Sequence, residues 1–96
     1  MAKVKVIDVF ATWCGPCRFY APTFQKVSER EDMQDVEFVK IDADENEDLC
    51  AKFNIRNIPT TLILNAETDA LINRLMGVQS EDALVGAINS ARGTEV

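Results

Sequence analysis

Hydrophobic and polar positions change period several times along this chain of 96 residues, and each change marks an element. Lys3 to Val6 alternate, and the run then becomes nearly continuously apolar to Ala11, broken by Asp8. That is the pattern of a central strand covered on both faces. From Cys17 to about Arg30 the period lengthens, with Tyr20, Ala21, Phe24, Val27 and Ser28 on one face of a helix. Pro22 sits inside it and predicts a kink. Residues 29–35 are charged and without apolar period, so they read as a helix end and loop. Val36 to Asp42 alternates again as a second strand, and a short helix follows with Leu49, Cys50 and Phe53 on one face. Residues 61–64 and 70–76 form a hairpin whose connection lacks a tight Asn-Gly or Asp-Gly turn. Gly77 ends its second strand. Ser80 caps a last helix with Ala83, Leu84, Ala87, Ile88 and Ala91 on its apolar face, and residues 92–96 read as a frayed tail.

Composition narrows the class. The chain is 47% hydrophobic and 27% charged, ordinary for a single globular domain spanning residues 1–96. No apolar run approaches the roughly 20 residues of a membrane span. The first residues carry no apolar segment ending in a cleavage site, which predicts an unprocessed, cytoplasmic protein. Ten basic against sixteen acidic residues, net charge −6, offer no basic patch for nucleic acid. Without histidine the commonest general base and metal ligand are missing, so acid–base work falls to carboxylates, Lys or thiols. Three cysteines are too few for an all-sulfur tetrahedral zinc site within one chain. Five carboxylates within residues 42–48 lack the glycine and closing Glu of a calcium loop. They read as an acidic first helical turn, capped by Asp44 or Asn46.

The chemistry concentrates at Trp13-Cys14-Gly15-Pro16-Cys17. A Cys-x-x-Cys where a strand hands over to a helix reads as a redox dithiol rather than half a metal site. Free N–H groups and the dipole of the helix N-terminus stabilise a thiolate on Cys14. The two-residue spacing lets Cys17 close a small disulfide ring. Asp8 reads, on its own, as a strand-end carboxylate reaching water. Lys40 reads as an edge residue that discourages strand pairing, Cys50 as a small hydrophobe, and Pro59 as an ordinary trans proline.

With that motif and the Ile58-Pro59-Thr60 segment, the chain resembles the thioredoxins nearly end to end. The resemblance implies a small thioredoxin-type reductase of protein disulfides. Cys14 is its nucleophile and Cys17 its resolving cysteine, and their disulfide is the redox centre in place of any cofactor or metal. It also implies a buried Asp8 that takes the Cys17 proton, a neighbouring Lys40 that holds its pKa down, and a cis Ile58–Pro59 peptide. Trp13, Gly15, Pro16, Ile58, Pro59, Thr60 and Gly77 then form the docking surface, with Arg18 and Phe19 at its border. Pro22 aims Cys14 outward. The implied partners are disulfide-containing proteins and a thioredoxin reductase or equivalent donor, with no nucleic acid or membrane, and the chain acts as a monomer.

The implied fold is α/β. Four strands form a mixed sheet in the order 2-1-3-4, flanked by three helices, without the strand and helix that most thioredoxins place before the Asp-bearing strand. Residues 36–42 then lie at a sheet edge, and Phe10 stands where the family usually has a second Trp. Two rivals share these features: an oxidase or isomerase of the same fold, and a binding module that docks a partner enzyme through the same surface.

Overall fold

A computed structural model describes residues 3–94, which form four strands and three helices. In chain order these are β1 (Val4–Phe10), α1 (Gly15–Ser28), β2 (Val36–Asp42), α2 (Glu47–Lys52), β3 (Thr60–Asn65), β4 (Leu71–Met76) and α3 (Glu81–Thr94). The sheet runs β2-β1-β3-β4, with β1 and β2 parallel and the other neighbours antiparallel. This is the four-stranded mixed sheet with three helices that the family resemblance implies.

Both faces of β1 are covered, which is why its sequence is almost unbroken in apolar residues. Val4 and Val6 face one layer with Tyr20, Phe24 and Val27 of α1, Ile63 of β3, and Leu84, Ile88 and Ala91 of α3. Ile7 and Val9 face the other, with Leu62 and Leu64, against the half-buried Leu49, Cys50 and Phe53 around α2. The second layer is thinner. A groove of about 360 Å³ opens there between Ile7, Val39 and Ile41 on the sheet and Leu49 and Phe53 around α2. Glu37 and Lys40 stand exposed on β2, which forms one edge of the sheet.

Several boundaries differ from the periodic reading. Helix α1 begins at Gly15 rather than Cys17, because Cys14 itself is the N-cap and Pro16 fits the first turn. The charged stretch 29–35 contains a single 3₁₀ turn, Glu31–Met33, and its one apolar side chain, Met33, is fully buried. A second 3₁₀ turn, Ala43–Glu45, precedes α2, where Asp42 accepts from the Asp44 N–H and Asn46 makes no side-chain cap. The frayed tail is corrected as well: α3 continues to Thr94. Arg92 anchors that last turn, donating to Asp35 at 2.7 Å and to the Asp32 carbonyl. The remainder of the expected tail, residues 95–96, and the first two residues lie outside the described ones.

After β4, Gly77 adopts φ +84°, and its N–H donates to the Pro59 carbonyl at 2.9 Å. A Cβ there would meet nothing within 4 Å among the described residues, so any cost of substitution is conformational. Gly77→Ala is expected to lower stability by about 1 kcal/mol through the left-handed backbone alone. Urea unfolding of the oxidised protein reads this directly.

Candidate active site

The end of β1 and the start of α1 meet at the dithiol. Cys14 and Cys17 are joined as a disulfide, Cα atoms 5.2 Å apart, in the first turn of α1. The Cys17 N–H donates to Cys14 Sγ at 3.2 Å. A charge developing on Cys14 Sγ is therefore met by a backbone donor at the positive end of a helix. Gly15 and Pro16 close the ring without side-chain bulk, and both are exposed.

Ala11 packs with the two cysteines, and Phe10 and Ile58 close against them. This packing corrects one expectation. Cys14 is not turned outward by the Pro22-containing helix; it is only 5% exposed, against 3% for Cys17. Cys14 Sγ therefore sits behind a rim of neighbouring side chains rather than projecting into solvent. Part of that rim is the loop before β3. The Ile58–Pro59 peptide is cis, and Cys14 Sγ lies 3.8 Å from the Ile58 carbonyl oxygen. Pro59 and Thr60 are buried, and the Gly77 hydrogen bond to Pro59 brings the exposed Met76 and Val78 beside the same loop.

Trp13 is 67% exposed on the dithiol's other flank. Its indole N–H donates to Asp44 Oδ2 at 2.8 Å, which fixes the ring relative to the 3₁₀ turn before α2. Sequence reasoning treated Asp44 only as a cap; a pairing across 31 positions leaves no periodic signal. Phe19, at 76%, is the most exposed large apolar side chain among the described residues, on the outer side of α1.

Under the dithiol-bearing helix, three strands contribute one row of polar side chains. Lys40 of β2 and Thr61 of β3 are the direct partners of Asp8 on β1, one on each side. Asp8 is fully buried, not the water-facing carboxylate that composition alone suggests. Lys40 Nζ lies 3.8 Å from Asp8 Oδ2, an ion-pair distance too long for a hydrogen bond. Both carboxyl oxygens accordingly lack a hydrogen-bond partner among the described residues. Burial pushes the Asp8 carboxyl up to about 6, with the Lys40 charge pulling the other way. The ammonium also stands 4.8 Å over the Phe10 ring. A cleft of about 280 Å³ lies between Phe10, Cys17, Arg18, Ala21 and Lys40; Asp8 does not line it.

Two hydroxyls complete the row and were not singled out from sequence. Tyr20 reads there as part of an apolar helix stripe and Thr61 as a strand residue. Both are fully buried, and their oxygens are 2.8 Å apart. Cys50 lies apart from all of this, half-buried among the residues around α2, its thiol raised by burial and by Glu47 and Asp44. Among the described residues no group of three or more His, Cys, Asp or Glu is placed to hold a metal ion. None of their helices is long and apolar enough to cross a membrane.

Comparison with known proteins agrees with this geometry. The thioredoxin family model matches residues 1–90. A thioredoxin of Mycoplasma genitalium is 31% identical over 88 residues, covering 92% of this chain and 82% of its own. A chloroplastic F-type thioredoxin of Brassica napus is 37% identical over 91 residues; the match covers 94% of this chain but 47% of that longer protein. Among solved structures, Malassezia sympodialis thioredoxin superposes with a TM-score of 0.83 at 35% identity, over 92% of this chain and 74% of that one. The short form of spinach chloroplast thioredoxin F gives 0.82 at 37%, over 95% and 78%. With a Cys14–Cys17 pair built for thiol–disulfide exchange and these relatives across nearly its whole length, the chain belongs to the thioredoxin family.

Proposed function

We propose that this chain, acting as a single domain, reduces disulfide bonds in other proteins. The observation that carries the reading is the Cys14–Cys17 disulfide at the N-terminus of α1, with Cys14 Sγ 3.8 Å from the Ile58 carbonyl. In the dithiol form, the Cys14 thiolate attacks one sulfur of a substrate disulfide and expels the other as a thiolate. Cys17, deprotonated, then attacks Cys14 Sγ and releases the second substrate thiolate. Two electrons pass to the substrate, and the Cys14–Cys17 disulfide is left behind. No other redox group takes part.

Asp8 accepts the proton that Cys17 loses. A carboxyl near 6 is partly ionised around neutral pH and can both take and return a proton. Lys40 favours its ionised form, so the proton is not held there. The substrate lies as an extended segment across Trp13, Gly15, Pro16, Ile58, Pro59, Thr60 and Gly77, with backbone groups near Ile58 available to pair with it. The partners are disulfide-containing proteins and a thioredoxin reductase or equivalent donor. The chain works as a monomer in the cytoplasm, as a link in electron transport and cell redox homeostasis.

Reduction of insulin disulfides, with dithiothreitol as electron donor, tests the reading. The expected result is catalysis by the wild type and none by Cys14→Ser above the dithiothreitol background. Equal rates for the two proteins would overturn it.

A further inference from the structure

The polar row under α1 contains more than the acid and its lysine. In an antiparallel pair, directly opposed residues carry Cβ atoms about 4.5–5.5 Å apart on the same face. Thr61 stands in that relation to Asp8, so rotation of its side chain brings the hydroxyl within reach of the carboxyl. Tyr20, one helical turn after Cys17, meets Thr61 Oγ1 at 2.8 Å, and either hydroxyl can be the donor. The pair owns two hydroxyl protons and needs only one for its own hydrogen bond. The other is free to point elsewhere. Beside it is a carboxyl with both oxygens unpartnered among the described residues. All three residues are fully buried, so water does not compete for that proton.

We propose that the Tyr20–Thr61 hydroxyl pair is a stored hydrogen-bond donor for ionised Asp8, so that Tyr20 and Thr61 act as positioning residues for the carboxylate. When Asp8 is protonated, the two hydroxyls satisfy each other across their 2.8 Å contact. When it ionises, Tyr20 donates to Thr61 and Thr61 donates onward to the carboxylate. Hydrogen bonds to a charged acceptor are stronger than those between neutral groups, so ionisation costs less with the pair present. The groups facing Asp8 are otherwise few. Lys40 comes from β2 and Tyr20 from α1; α3 turns the apolar Leu84, Ile88 and Ala91 to this side of the sheet. Tyr20 itself is pushed up to about 12 by burial, which keeps it a donor across the working range.

The role in catalysis rests on Asp8 as the proton acceptor proposed above, but donation to Asp8 can be read independently of it. The Asp8 carboxyl carbon is followed by NMR against pH in uniformly ¹³C-labelled oxidised and reduced protein. Thr61→Val keeps the side-chain shape and removes the hydroxyl, and is expected to raise the Asp8 midpoint by about one pH unit. Thr61→Ser is expected to restore it, and Tyr20→Phe to raise it by a smaller amount. A folded Thr61→Val protein whose midpoint does not rise overturns the proposal. So does a serine variant that fails to rescue, since shape rather than the hydroxyl would then be responsible. The acid limb of insulin reduction should move upward with the NMR midpoint. An Asp8→Asn protein with an unaltered pH profile would remove Asp8 from the reaction while the titration still decides the hydroxyl pair.

Discussion

Cys17→Ser protein, reduced and mixed with a disulfide-containing substrate, is expected to accumulate as a mixed disulfide through Cys14 and to stop there. The first exchange needs only the Cys14 thiolate, supported by the helix N-terminus and the backbone N–H at position 17, which serine retains. The second needs a sulfur at position 17, and a serine hydroxyl cannot displace the substrate thiol by exchange. Intact-mass spectrometry should show one substrate covalently attached per chain, released by dithiothreitol. Turnover of insulin should fall to the background of the donor thiol. Cys14→Ser should form no such adduct, because the backbone N–H at position 17 and the N-cap position support a thiolate at Cys14 and not at Cys17. An adduct forming equally well on Cys17 would exchange the roles assigned to the two cysteines.

Asp8 carries the second large effect, and here stability and turnover move in opposite directions. Its carboxyl titrates at about 6 in the folded protein against 3.8 as a free group, because burial disfavours the charge more than Lys40 supports it. The folded state therefore binds the proton more tightly than the unfolded state does. The contribution of Asp8 to stability is therefore largest below about pH 4, declines as pH rises through 6, and then levels off. The difference between the two values corresponds to about 3 kcal/mol. Asp8→Asn removes this titration. Between pH 3 and pH 8 the wild type should lose about 3 kcal/mol relative to the variant in urea unfolding of the oxidised proteins. A constant difference across that range would show that Asp8 does not titrate above its ordinary value. The same substitution should slow release of the mixed disulfide by about tenfold. That is less than a positioned acid–base group usually contributes, because the cleft beside Cys17 lets water substitute.

Much of this architecture is legible along the chain because its elements bury different numbers of faces. β1 is covered on both sides and reads as apolar. β2, at the edge, alternates, and α1 and α3 keep a helical period facing the sheet. The dithiol is legible as well, since Cys14 and Cys17 interact through a local turn. The parts that stayed hidden are contacts between distant positions. Tyr20 and Thr61 lie 41 residues apart, and each looks ordinary in its own element; the register of β3 on β1 and the packing of α1 on the sheet bring them to Asp8. Met33 is one apolar residue in a charged run, so its burial has no period to announce it. Arg92 looks like a terminal cation until α3 brings it onto the loop carrying Asp32 and Asp35. Asp8 shows the limit from the other side, for a lone acid in an apolar strand has no feature of its own that says whether it faces water.

Trp13, held by Asp44, and the Met76 and Val78 side chains beside the Pro59 loop leave large apolar surfaces in water around a nearly covered disulfide.

The central claim, that the Cys14–Cys17 couple is a reductant, is tested most directly by its midpoint potential. Trp13 fluorescence can be followed across a series of dithiol buffers, with Cys17→Ser as the control. The account predicts a reversible two-electron transition more negative than the glutathione pool, below about −250 mV. A midpoint at or above the pool would make the chain an oxidase or isomerase. The absence of any reversible transition would contradict the redox account and leave only a docking surface.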